Sequence, residues 1–381
     1  MAAPIGKPRC SAFLALRYGQ RTSSIGSMNL LAEQLHQQIQ QHGPLPFAEF
    51  MQRALYDPVH GYYGRADAQI GRRGDFMTSV SVGSFFGELL AFQFVRWIKT
   101  MPRDGEQPAQ IVESGAHDGQ LAHDILSALS AHGAESKIEY WIIEPSEQRR
   151  QTQRRKLQSF ANVRWFVGFD EIQARVHGVV FCNELLDAMP VHPFTWNSIQ
   201  RRWEERGVTI SEEQFLWTPL ERSTIAPPEL PTTLLDVLPD GYILELCPAA
   251  VQWWQNAAHA LAGGRLLTID YGGVLEEMLS PGRNTGTLRA YFRHQVSANV
   301  LERPGEQDIT AHVNFTEVQR GGENAGLRTE SFTAQSQFLT AIARELWTST
   351  GSWPQQQVRQ FQTLTHPEHL GRSFRVLVQA R

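Results

Sequence analysis

Cysteine is scarce in this chain of 381 residues. Its three cysteines, Cys10, Cys182 and Cys247, show no C-x-x-C spacing. A disulfide-stabilised fold needs a set of paired cysteines, and structural zinc sites commonly use C-x-x-C pairs. The cysteine content therefore excludes a disulfide framework and indicates a reducing compartment.

Long apolar runs and an excess of charge are also absent. No apolar stretch approaches the roughly 18 residues that a membrane-spanning helix needs. The 35 basic and 39 acidic residues give a net charge of −4 without a strongly basic block. We therefore predict no membrane span and no nucleic-acid partner. The densest basic cluster, at 149–156, is predicted to be a solvated helix face.

Several catalytic motifs are missing. The sequence contains no H-E-x-x-H, no G-x-S-x-G and no G-x-x-x-x-G-K-[ST]. These absences argue against zinc peptidases, α/β-hydrolases and P-loop enzymes. The 13 histidines show no spacing typical of metal ligands, and we predict no metal.

The first 28 residues differ in composition from the rest of the chain. They contain four basic residues and several serines, and no acidic residue precedes Glu33. This composition is typical of an organellar transit peptide, but we favour the alternative, a disordered tail or a true start at Met28. We predict a cytoplasmic bacterial protein, with the mitochondrial matrix as the alternative if residues 1–28 are a transit peptide.

From residue 106 onward, predicted strands and helices alternate. Strands are predicted near 110–113, 138–144, 163–167, 178–182, 242–246 and 265–270, and helices near 119–131, 146–159 and 249–262. Such alternation predicts an α/β fold with a parallel sheet covered by helices on both faces, and S-F-R-V-L-V-Q-A-R reads as a final buried strand.

The predicted domain organisation has three parts. Residues 1–28 form an extension, 29–105 a helical and loop cap, and 106–381 the main domain. Prolines and tryptophans at about 201–239 predict an irregular insertion on the substrate side. A second irregular insertion on that side is predicted at about 280–330.

The segment I-V-E-S-G-A-H-D-G-Q-L-A-H-D-I-L at 111–126 predicts a ligand site. It reads as a strand that ends near Glu113, a turn with Gly115 and Gly119, and an amphipathic helix. The next strand ends in Glu144, where a carboxylate can accept hydrogen bonds from two ribose hydroxyls. In α/β sheets ligands bind at such strand ends, so the pattern favours a cofactor that contains a nucleoside. For the turn taken alone, a structural strand–helix turn without a ligand is the alternative.

Acidic residues follow two further strands. Glu184 and Asp187 come after V-V-F-C, and a spacing of three would place them on one side of a helical turn. Asp270 ends L-L-T-I-D, a strand that we expect beside the first strand. The alternatives are a surface position for Glu184, a helix cap for Asp187 and a turn former for Asp270.

The segments G-T-L-R-A-Y-F-R-H and D-I-T-A-H-V-N-F offer further candidates. They contain His294, Asp308 and His312, and an aspartate and a histidine four residues apart can share a proton or orient a substrate. A solvated or structural pair is equally compatible with this spacing.

Read in order, the segments resemble the MidA family of class I S-adenosylmethionine-dependent methyltransferases. The resemblance runs from about Leu45 to the C-terminus. It is carried by Y-D-P-V-H-G-Y-Y, G-D-F-M-T-S with Phe86-Gly87, the E-x-G turn, N-E-L-L-D-A-M-P-V, I-D-Y-G-G, and the two segments that contain His294 and His312.

The resemblance implies a Rossmann-like, doubly wound, mostly parallel sheet with an antiparallel last strand and an added helical and loop subdomain at the substrate cleft. It implies S-adenosyl-L-methionine as the cofactor. The implied cofactor-binding residues are Gly74, Asp75, Thr78, Glu113, Gly115, Ala116, His117, Gly119, Glu144 and Asn183. The candidate catalytic residues are Glu184 and Asp187, followed by Asp270, His294, Asp308 and His312.

The resemblance also implies a protein substrate, with the arginine guanidinium favoured, and a respiratory-chain subunit as one such partner. One residue departs from the family pattern E-x-G-x-G-x-G, because His117 replaces the middle glycine. Its side chain would either crowd the methionine end of the cofactor or point away from it.

Two rival functions follow. One is a catalytically weak or inactive assembly factor that binds the cofactor and holds a partner through the Trp-rich segment 201–239. The other is a nicotinamide-dependent oxidoreductase, which is disfavoured because two of the three glycines of G-x-G-x-x-G are absent.

Overall fold

The structure is a computed structural model that describes residues 29–64, 78–102, 108–134, 137–173, 175–293 and 295–381. The helices are α1 (Leu30–His42), α2 (Phe47–Tyr56), α3 (Ser79–Val82), α4 (Phe85–Thr100), α5 (Gln120–Ala131), α6 (Glu147–Lys156), α7 (Thr232–Leu235), α8 (Pro248–Ala260), α9 (Leu275–Met278), α10 (Phe315–Asn324), α11 (Gln335–Thr350) and α12 (Gln355–Thr365).

The strands alternate with these helices over much of the chain. They are β1 (Leu45–Pro46), β2 (Ala109–Ser114), β3 (Ile138–Ile143), β4 (Val163–Phe166), β5 (Val176–Asn183), β6 (His192–Asn197), β7 (Arg202–Ser211), β8 (Gln214–Pro219), β9 (Ile243–Leu246), β10 (Leu261–Gly273), β11 (Arg289–Phe292), β12 (Gln295–Ser297), β13 (Asp308–Thr310), β14 (Val313–Asn314), β15 (Arg328–Ala334) and β16 (Phe374–Ala380).

The main sheet has eight strands. Seven follow the order β15-β16-β10-β5-β2-β3-β4, and β14 pairs with β10 beyond this path. The pairs from β10 to β4 are parallel, whereas β16 is antiparallel to both β10 and β15. The predicted class of fold is confirmed, including the antiparallel last strand. The predicted position of β10 beside the first strand is wrong, because β5 lies between β10 and β2.

Helices cover both faces of this sheet. Ile111 and Val179 face one apolar core together with Phe94 of α4. Val112 and Val180, one residue later in each strand, face the opposite core. Because successive side chains of a strand point to opposite faces, near-continuous apolar strands are what a sheet buried on both sides requires.

A second sheet lies outside the predicted arrangement. Its order is β1-β7-β6-β9 with β8 paired to β7, and its strand pairs are antiparallel. The prediction of an irregular segment at 201–239 is therefore wrong for β7 and β8. The strand predicted at 242–246 exists as β9, but it pairs with β6 and belongs to this second sheet.

The composition explains why β7 was not recognised. Its inward-facing positions include Glu205 and Gly207, so the apolar alternation that identifies a half-buried strand is interrupted. Glu205 is tolerated inside because its carboxylate accepts hydrogen bonds from Thr224 and pairs with His192 at 2.7 Å.

The region 280–330 contains more regular structure than predicted. β11 pairs with β12 and β13 in a small antiparallel sheet, and α10 packs on α8 over the main sheet. The predicted cap also divides: α1 and α2 pack with β7, whereas α4 lies in the core of the main sheet. We therefore propose that the cap ends before Phe85. Within the described ranges, no helix is long and apolar enough to cross a membrane.

Candidate functional site

A cavity of ≈ 2490 Å³ opens at the carboxyl ends of the parallel strands. Ligand pockets usually enclose roughly 300–1000 Å³, so this cavity has room for a cofactor and part of a larger substrate. Many of the predicted site residues line it. They are Thr78, Glu113, Gly115, Ala116, His117, Glu144, Asn183, Glu184, Asp187, Asp308 and His312.

The other predicted site residues are placed differently. Gly74, Asp75 and His294 lie outside the described residues. Gly119 and Asp270 are buried next to the cavity and do not line it. Within the described ranges, no group of His, Cys, Asp or Glu side chains is arranged to hold a metal ion.

The turn after β2 depends on its glycines. Gly115 has a φ of 78° and Gly119 a φ of 83°, both in the left-handed region that glycine adopts without steric cost. Gly119 directly precedes α5, whose first amide donates to the Asp118 carboxylate at 3.0 Å. The chain therefore turns sharply from strand to helix and brings its backbone to the cavity wall.

His117 lies between these two glycines and is also left-handed, with a φ of 48°. Its carbonyl oxygen accepts a hydrogen bond from Gln153 at 2.9 Å. Its ring is 33% exposed, with Nδ1 3.7 Å from an oxygen of Asp118. The ring thus lies along the cavity wall and is directed toward Asp118.

Glu144 directly follows β3, and both of its carboxylate oxygens accept hydrogen bonds. Oε1 accepts from the Ser146 amide at 2.9 Å, and Oε2 accepts from Gln153 at 3.3 Å. Burial raises the pKa of Glu144, and the hydrogen bond from Ser146 opposes that shift. Gln153 is fully buried and also holds the His117 carbonyl, so one side chain joins the glycine turn to Glu144.

Glu113 lies below the turn in an apolar setting. Its carboxyl accepts a hydrogen bond of 2.7 Å from the Tyr140 hydroxyl. Burial raises the pKa of Glu113 to about 8, which the Tyr140 hydrogen bond only partly counteracts. The group is therefore mostly neutral at pH 7.

Asn183 ends β5, Glu184 directly follows it, and both line the cavity. Glu184 has a left-handed φ of 51°, and its Oε1 accepts from Asn183 at 2.9 Å and from the Ser79 amide at 3.1 Å. Burial, with the nearby charges of Asp270 and Asp308, raises the pKa of Glu184 to about 8. The Asn183 side-chain oxygen is buried and has no hydrogen-bond partner within the described part of the chain.

The segment after β5 is a loop, so the prediction that Glu184 and Asp187 share a helical turn is wrong. Both side chains nevertheless reach the same cavity. Burial and the charges of Asp270, Asp308 and Glu184 raise the pKa of Asp187 well above its usual range. The backbone of this loop is held by the carboxylate of Asp270.

Asp270 determines the path of that loop. One of its oxygens accepts from the amides of Leu185 and Leu186 at 3.1 and 2.8 Å, and the other accepts from the Tyr271 amide at 2.8 Å. Burial raises the pKa of Asp270 to about 7. The contacts of Asp270 are therefore structural. Its carboxylate holds the backbone of residues that line the cavity.

Asp308 joins the site from β13. Its Oδ1 accepts from the Tyr63 hydroxyl at 2.8 Å. Arg149 on α6 holds the Tyr63 carbonyl oxygen through Nε and Nη2 at 3.2 and 3.1 Å, and its guanidinium lies 5.3 Å from the Tyr63 ring centre. Residues of the cap, α6 and β13 are thereby connected in one wall.

His312 lies farther along the same wall. Its Nδ1 accepts a hydrogen bond from Arg283 at 2.9 Å, and its backbone amide donates to the Thr287 hydroxyl at 3.0 Å. Burial, with the charges of Arg283 and Arg289, lowers the pKa of His312 to about 4. The ring is therefore neutral at pH 7.

The sequence did not identify Tyr63, Arg149 and Gln153 as site residues. The spacing of four between Arg149 and Gln153 places them on one face of α6, which was a usable signal against a wholly solvated face. Nothing in the sequence pairs Tyr63 with Arg149, because 86 positions separate them.

The tryptophans of the segment 201–239 point inward. Trp203 is 9% exposed and packs against Trp196, with ring centres 5.3 Å apart. Trp217 packs on Phe47 at 4.7 Å and under the Arg206 guanidinium at 4.0 Å. These rings pack within the second sheet and against α2; Trp203 is buried and Trp217 is half-buried.

Comparisons with known proteins identify the family of this chain. Residues 89–333 match the family described as "Putative S-adenosyl-L-methionine-dependent methyltransferase". A Burkholderia thailandensis protein crystallised with S-adenosyl-homocysteine is 32% identical, with a TM-score of 0.78 and 92% of each chain covered.

Two curated relatives are more distant in sequence. The mitochondrial protein arginine methyltransferase NDUFAF7 of Danio rerio is 28% identical, over 93% of this chain and 88% of its own. That of Mus musculus is 29% identical, over 79% of this chain and 72% of its own. The resemblance to the MidA family is confirmed. The chain belongs to this family of S-adenosyl-L-methionine-dependent methyltransferases, and S-adenosyl-L-methionine is its cofactor.

Proposed function

We propose that the protein methylates the guanidinium group of an arginine in a protein substrate. The observation that carries the proposal is the set of carboxyl groups that faces the cavity, above all Glu184 and Asp187. Within the described part of the chain, neither forms an ion pair with a basic side chain. The arginines that line the cavity therefore leave these two carboxyl groups without a basic partner among the described residues, and the curated relatives carry the name of arginine methyltransferases.

The residues on the β2–β3 side fit the cofactor. Glu144 would hold the ribose hydroxyls, and the Gly115–Gly119 turn would approach the methionine end. The unpartnered oxygen of Asn183 fits a group that donates hydrogen bonds, such as the amino group or the adenine amine. When bound, S-adenosyl-L-methionine supplies an electrophilic methyl group on a sulfonium sulfur. The protein contributes mainly positioning and electrostatics to such a displacement.

The acids on the β5 side fit the acceptor. A guanidinium has a pKa above about 12 and is a poor nucleophile while its charge is delocalised. Carboxylates of Glu184 and Asp187 would attract that charge to the far nitrogens and leave the reacting nitrogen electron-rich. An arriving cation would also lower the pKa of both carboxyl groups and favour their ionised forms. One of them would then accept the proton released by the reacting nitrogen.

The second-rank candidates receive different roles. Asp308 would contact the guanidinium from the side on which Tyr63 holds it. Asp270 is a positioning residue, since its oxygens hold the backbone of the loop and do not line the cavity. His312 is assigned no proton transfer, because Arg283 occupies its Nδ1.

The proposal is tested by supplying labelled S-adenosyl-L-methionine and arginine-centred or lysine-centred peptides, and by locating the label with mass spectrometry. We expect label on arginine. In Glu184→Gln and Asp187→Asn we expect turnover to fall by about 100-fold or more, the usual range for loss of acid–base groups. Binding of S-adenosyl-homocysteine, measured by calorimetry with NAD as control ligand, should remain within about twofold, since both carboxyls lie on the acceptor side.

Glu229 provides the matched control, because it is an exposed acid outside the cavity. Glu229→Gln should keep full turnover. Full methylation by both Glu184→Gln and Asp187→Asn would refute the assigned roles. Label on lysine, or on no peptide and no protein of a lysate, would refute arginine as the acceptor.

His117 favours a second candidate, a protein that binds the cofactor without transferring its methyl group. Its ring lines the cavity where the family pattern has glycine. Binding of S-adenosyl-homocysteine without any methyl transfer, together with transfer by His117→Gly, would support that function.

We propose a protein as the partner of this site. A respiratory-chain subunit as that partner stays a prediction. The cytoplasmic location and the alternative mitochondrial location also stay predictions, because residues 1–28 lie outside the described part of the chain.

A further inference from the structure

We propose that Arg283, Arg289 and His312 form a carboxylate-binding subsite that recognises an acidic group near the methylated arginine. The term carboxylate subsite refers below to these three residues. The inference rests on the proposed function, since it concerns the peptide that carries the acceptor. It assigns to the cavity a second recognition element, opposite in charge to Glu184 and Asp187.

Side chains along β11 and β13 alternate between the cavity and the core. Asp308, Thr310 and His312 line the cavity, whereas Ile309 and Ala311 between them are buried in the core. On the paired strand β11, Arg289 and Tyr291 line the cavity and Ala290 is buried. The two strands thus present one continuous face to the substrate.

The charged side chains along that face run from acidic at one end to basic at the other. Arg289 lies opposite Thr310, and Tyr291 lies opposite Asp308. Asp308 therefore ends the face on the acidic side, and His312 with Arg283 ends it on the basic side. Ala311 also donates its amide to the Asp187 carbonyl oxygen at 2.9 Å, which ties this face to the acidic loop.

The contacts of the two arginines indicate what they can bind. Neither Arg283 nor Arg289 forms an ion pair within the described ranges, although both line the cavity. The hydrogen-bond partners of their guanidinium groups are uncharged. Arg283 donates to His312 at 2.9 Å and contacts the Met278 sulfur at 3.5 Å, and Arg289 donates to the Leu288 carbonyl at 2.6 Å. Two arginines without an acidic partner in the described part of the chain, Arg283 in contact with His312 and Arg289 on the same face, can bind an anion.

His312 contributes to the same subsite as a hydrogen-bond donor. Because Arg283 donates to Nδ1, the hydrogen of the neutral ring is on Nε2, so the ring adds a further donor. The Glu245 carboxylate supports the segment from below by accepting the Thr287 and Leu288 amides at 2.7 and 3.3 Å. Glu245 is buried behind the backbone and does not line the cavity.

The spacing gives the position of the acidic group. Extended residues rise about 3.3 Å each, so Arg289 is displaced by about 7 Å and His312 by about 13 Å from Asp308 along the face. A peptide bound in an extended form would therefore place its carboxylate two to four residues from the target arginine. Either a side chain or a free C-terminus supplies the same chemistry.

The test measures peptide affinity by fluorescence anisotropy in saturating S-adenosyl-homocysteine, which needs no turnover. The probes are acetylated, amidated nonapeptides of serine with a central arginine, in which one glutamate is moved through the other eight positions. Glutamine twins are the controls. Peptides with a free carboxyl end two to four residues after the arginine separate a terminal carboxylate from a side-chain carboxylate.

We expect at least one glutamate peptide, with the acid two to four residues from the arginine, to bind about tenfold more tightly than its glutamine twin. Arg283→Gln and Arg289→Gln should reduce this ratio to below about threefold, and Arg289→Lys should retain part of it. Arg344→Gln, which changes an exposed arginine on α11 outside the cavity, should leave the ratio unchanged. Thermal unfolding and S-adenosyl-homocysteine affinity verify that each variant is folded.

Whether a glutamate peptide binds more tightly or more weakly than its glutamine twin distinguishes the two outcomes. Without the carboxylate subsite, the acids of the cavity would repel glutamate, and the glutamate peptides would bind more weakly than their twins. A ratio of one or less at every position, no measurable binding of any glutamate peptide, or a ratio that both arginine substitutions leave intact would overturn the inference. Failure of arginine methylation is a separate result, because peptide affinity is read without turnover.

Discussion

The two sides of the cavity handle buried carboxyl groups differently. On the cofactor side, Glu113 and Glu144 are shifted mainly by burial, and hydrogen bonds from Tyr140 and from Ser146 oppose the shift. On the acceptor side, Glu184, Asp187 and Asp270 are also buried, but neighbouring carboxyl groups raise the pKa of Glu184 and Asp187 further. The carboxyl groups on the cofactor side are stabilised by hydrogen bonds from the protein, whereas those on the acceptor side would be balanced by the guanidinium that we propose as the acceptor.

The two sides also differ in how the chain assembles them. The turn, Glu144 and Gln153 come from two consecutive strand–helix units, and Gln153 links them over at most 36 positions. The acceptor side brings together Ser79, Glu184, Asp270 and Asp308 from four distant segments. Local geometry therefore determines the cofactor side, and the acceptor side depends on the whole fold.

The largest effect that would test this comparison is expected at Glu144. Glu144→Ala removes the carboxylate proposed for both ribose hydroxyls, and hydrogen bonds to charged groups are worth about 1.5–3 kcal/mol each. We expect S-adenosyl-homocysteine to bind at least about 100-fold more weakly in calorimetry. Peptide affinity should change little. An equal loss of both affinities would show that the two sides are one interdependent network.

This difference in assembly explains what could be predicted from sequence. The turn, Glu144 and the acids near the carboxyl ends of β5 and β10 were located because each lies at the end of a strand, and parallel strands end at one edge. Their roles were less accessible. Asp270 was ranked as a catalytic candidate, but its hydrogen bonds to Leu185 and Leu186 depend on β10 lying beside β5.

Long-range contacts account for the remaining misses. Tyr63 reaches Asp308 across 245 positions, and no periodic pattern reports such a contact. The second sheet was missed because Glu205 and Gly207 interrupt the apolar alternation of β7. Sequence patterns identify elements by the surface that they bury, so a strand with a buried, paired carboxylate is read as irregular.

A smaller effect is expected from Glu113, and it concerns stability. Its pKa is 4.5 when unfolded and about 8 when folded, so the folded state binds a proton that the unfolded state releases. The stability from this proton is complete below pH 4.5 and is lost as the pH rises through about 8. Between pH 5 and pH 6.5, this one group lowers the free energy of unfolding by about 2 kcal/mol.

Glu113→Gln should remove that contribution, because the amide does not ionise and its oxygen still accepts the Tyr140 hydrogen bond. We expect the fall in the free energy of unfolding from pH 5 to pH 6.5, measured by urea titration, to be smaller by about 2 kcal/mol than in the unmodified protein. Glu229→Gln should reproduce the unmodified pH dependence. An unchanged slope in Glu113→Gln would mean that Glu113 ionises near its ordinary pKa, and the contrast between the two sides would then lose its cofactor-side example.

The smallest effect distinguishes two strained residues, one on each side. His117 and Glu184 both hold left-handed backbone conformations, with φ of 48° and 51°, which cost an ordinary residue about 1 kcal/mol and cost glycine little. Such strain persists where the surroundings require the conformation. On the acceptor side the strain directs a carboxylate into the cavity. On the cofactor side, the His117 contact with Gln153 uses only the backbone carbonyl, which glycine would keep.

His117→Gly should therefore raise the free energy of unfolding by up to about 1 kcal/mol, and S-adenosyl-homocysteine affinity should stay within about threefold. Glu184→Gly relieves the same strain but removes the carboxylate, so it should abolish turnover. If His117→Gly instead strengthens cofactor binding tenfold or more, the ring obstructs the site, and the weakly active or inactive cofactor-binding protein becomes the better description. If it weakens binding to that extent, the imidazole itself contacts the cofactor, and the departure from glycine is an adaptation of this chain.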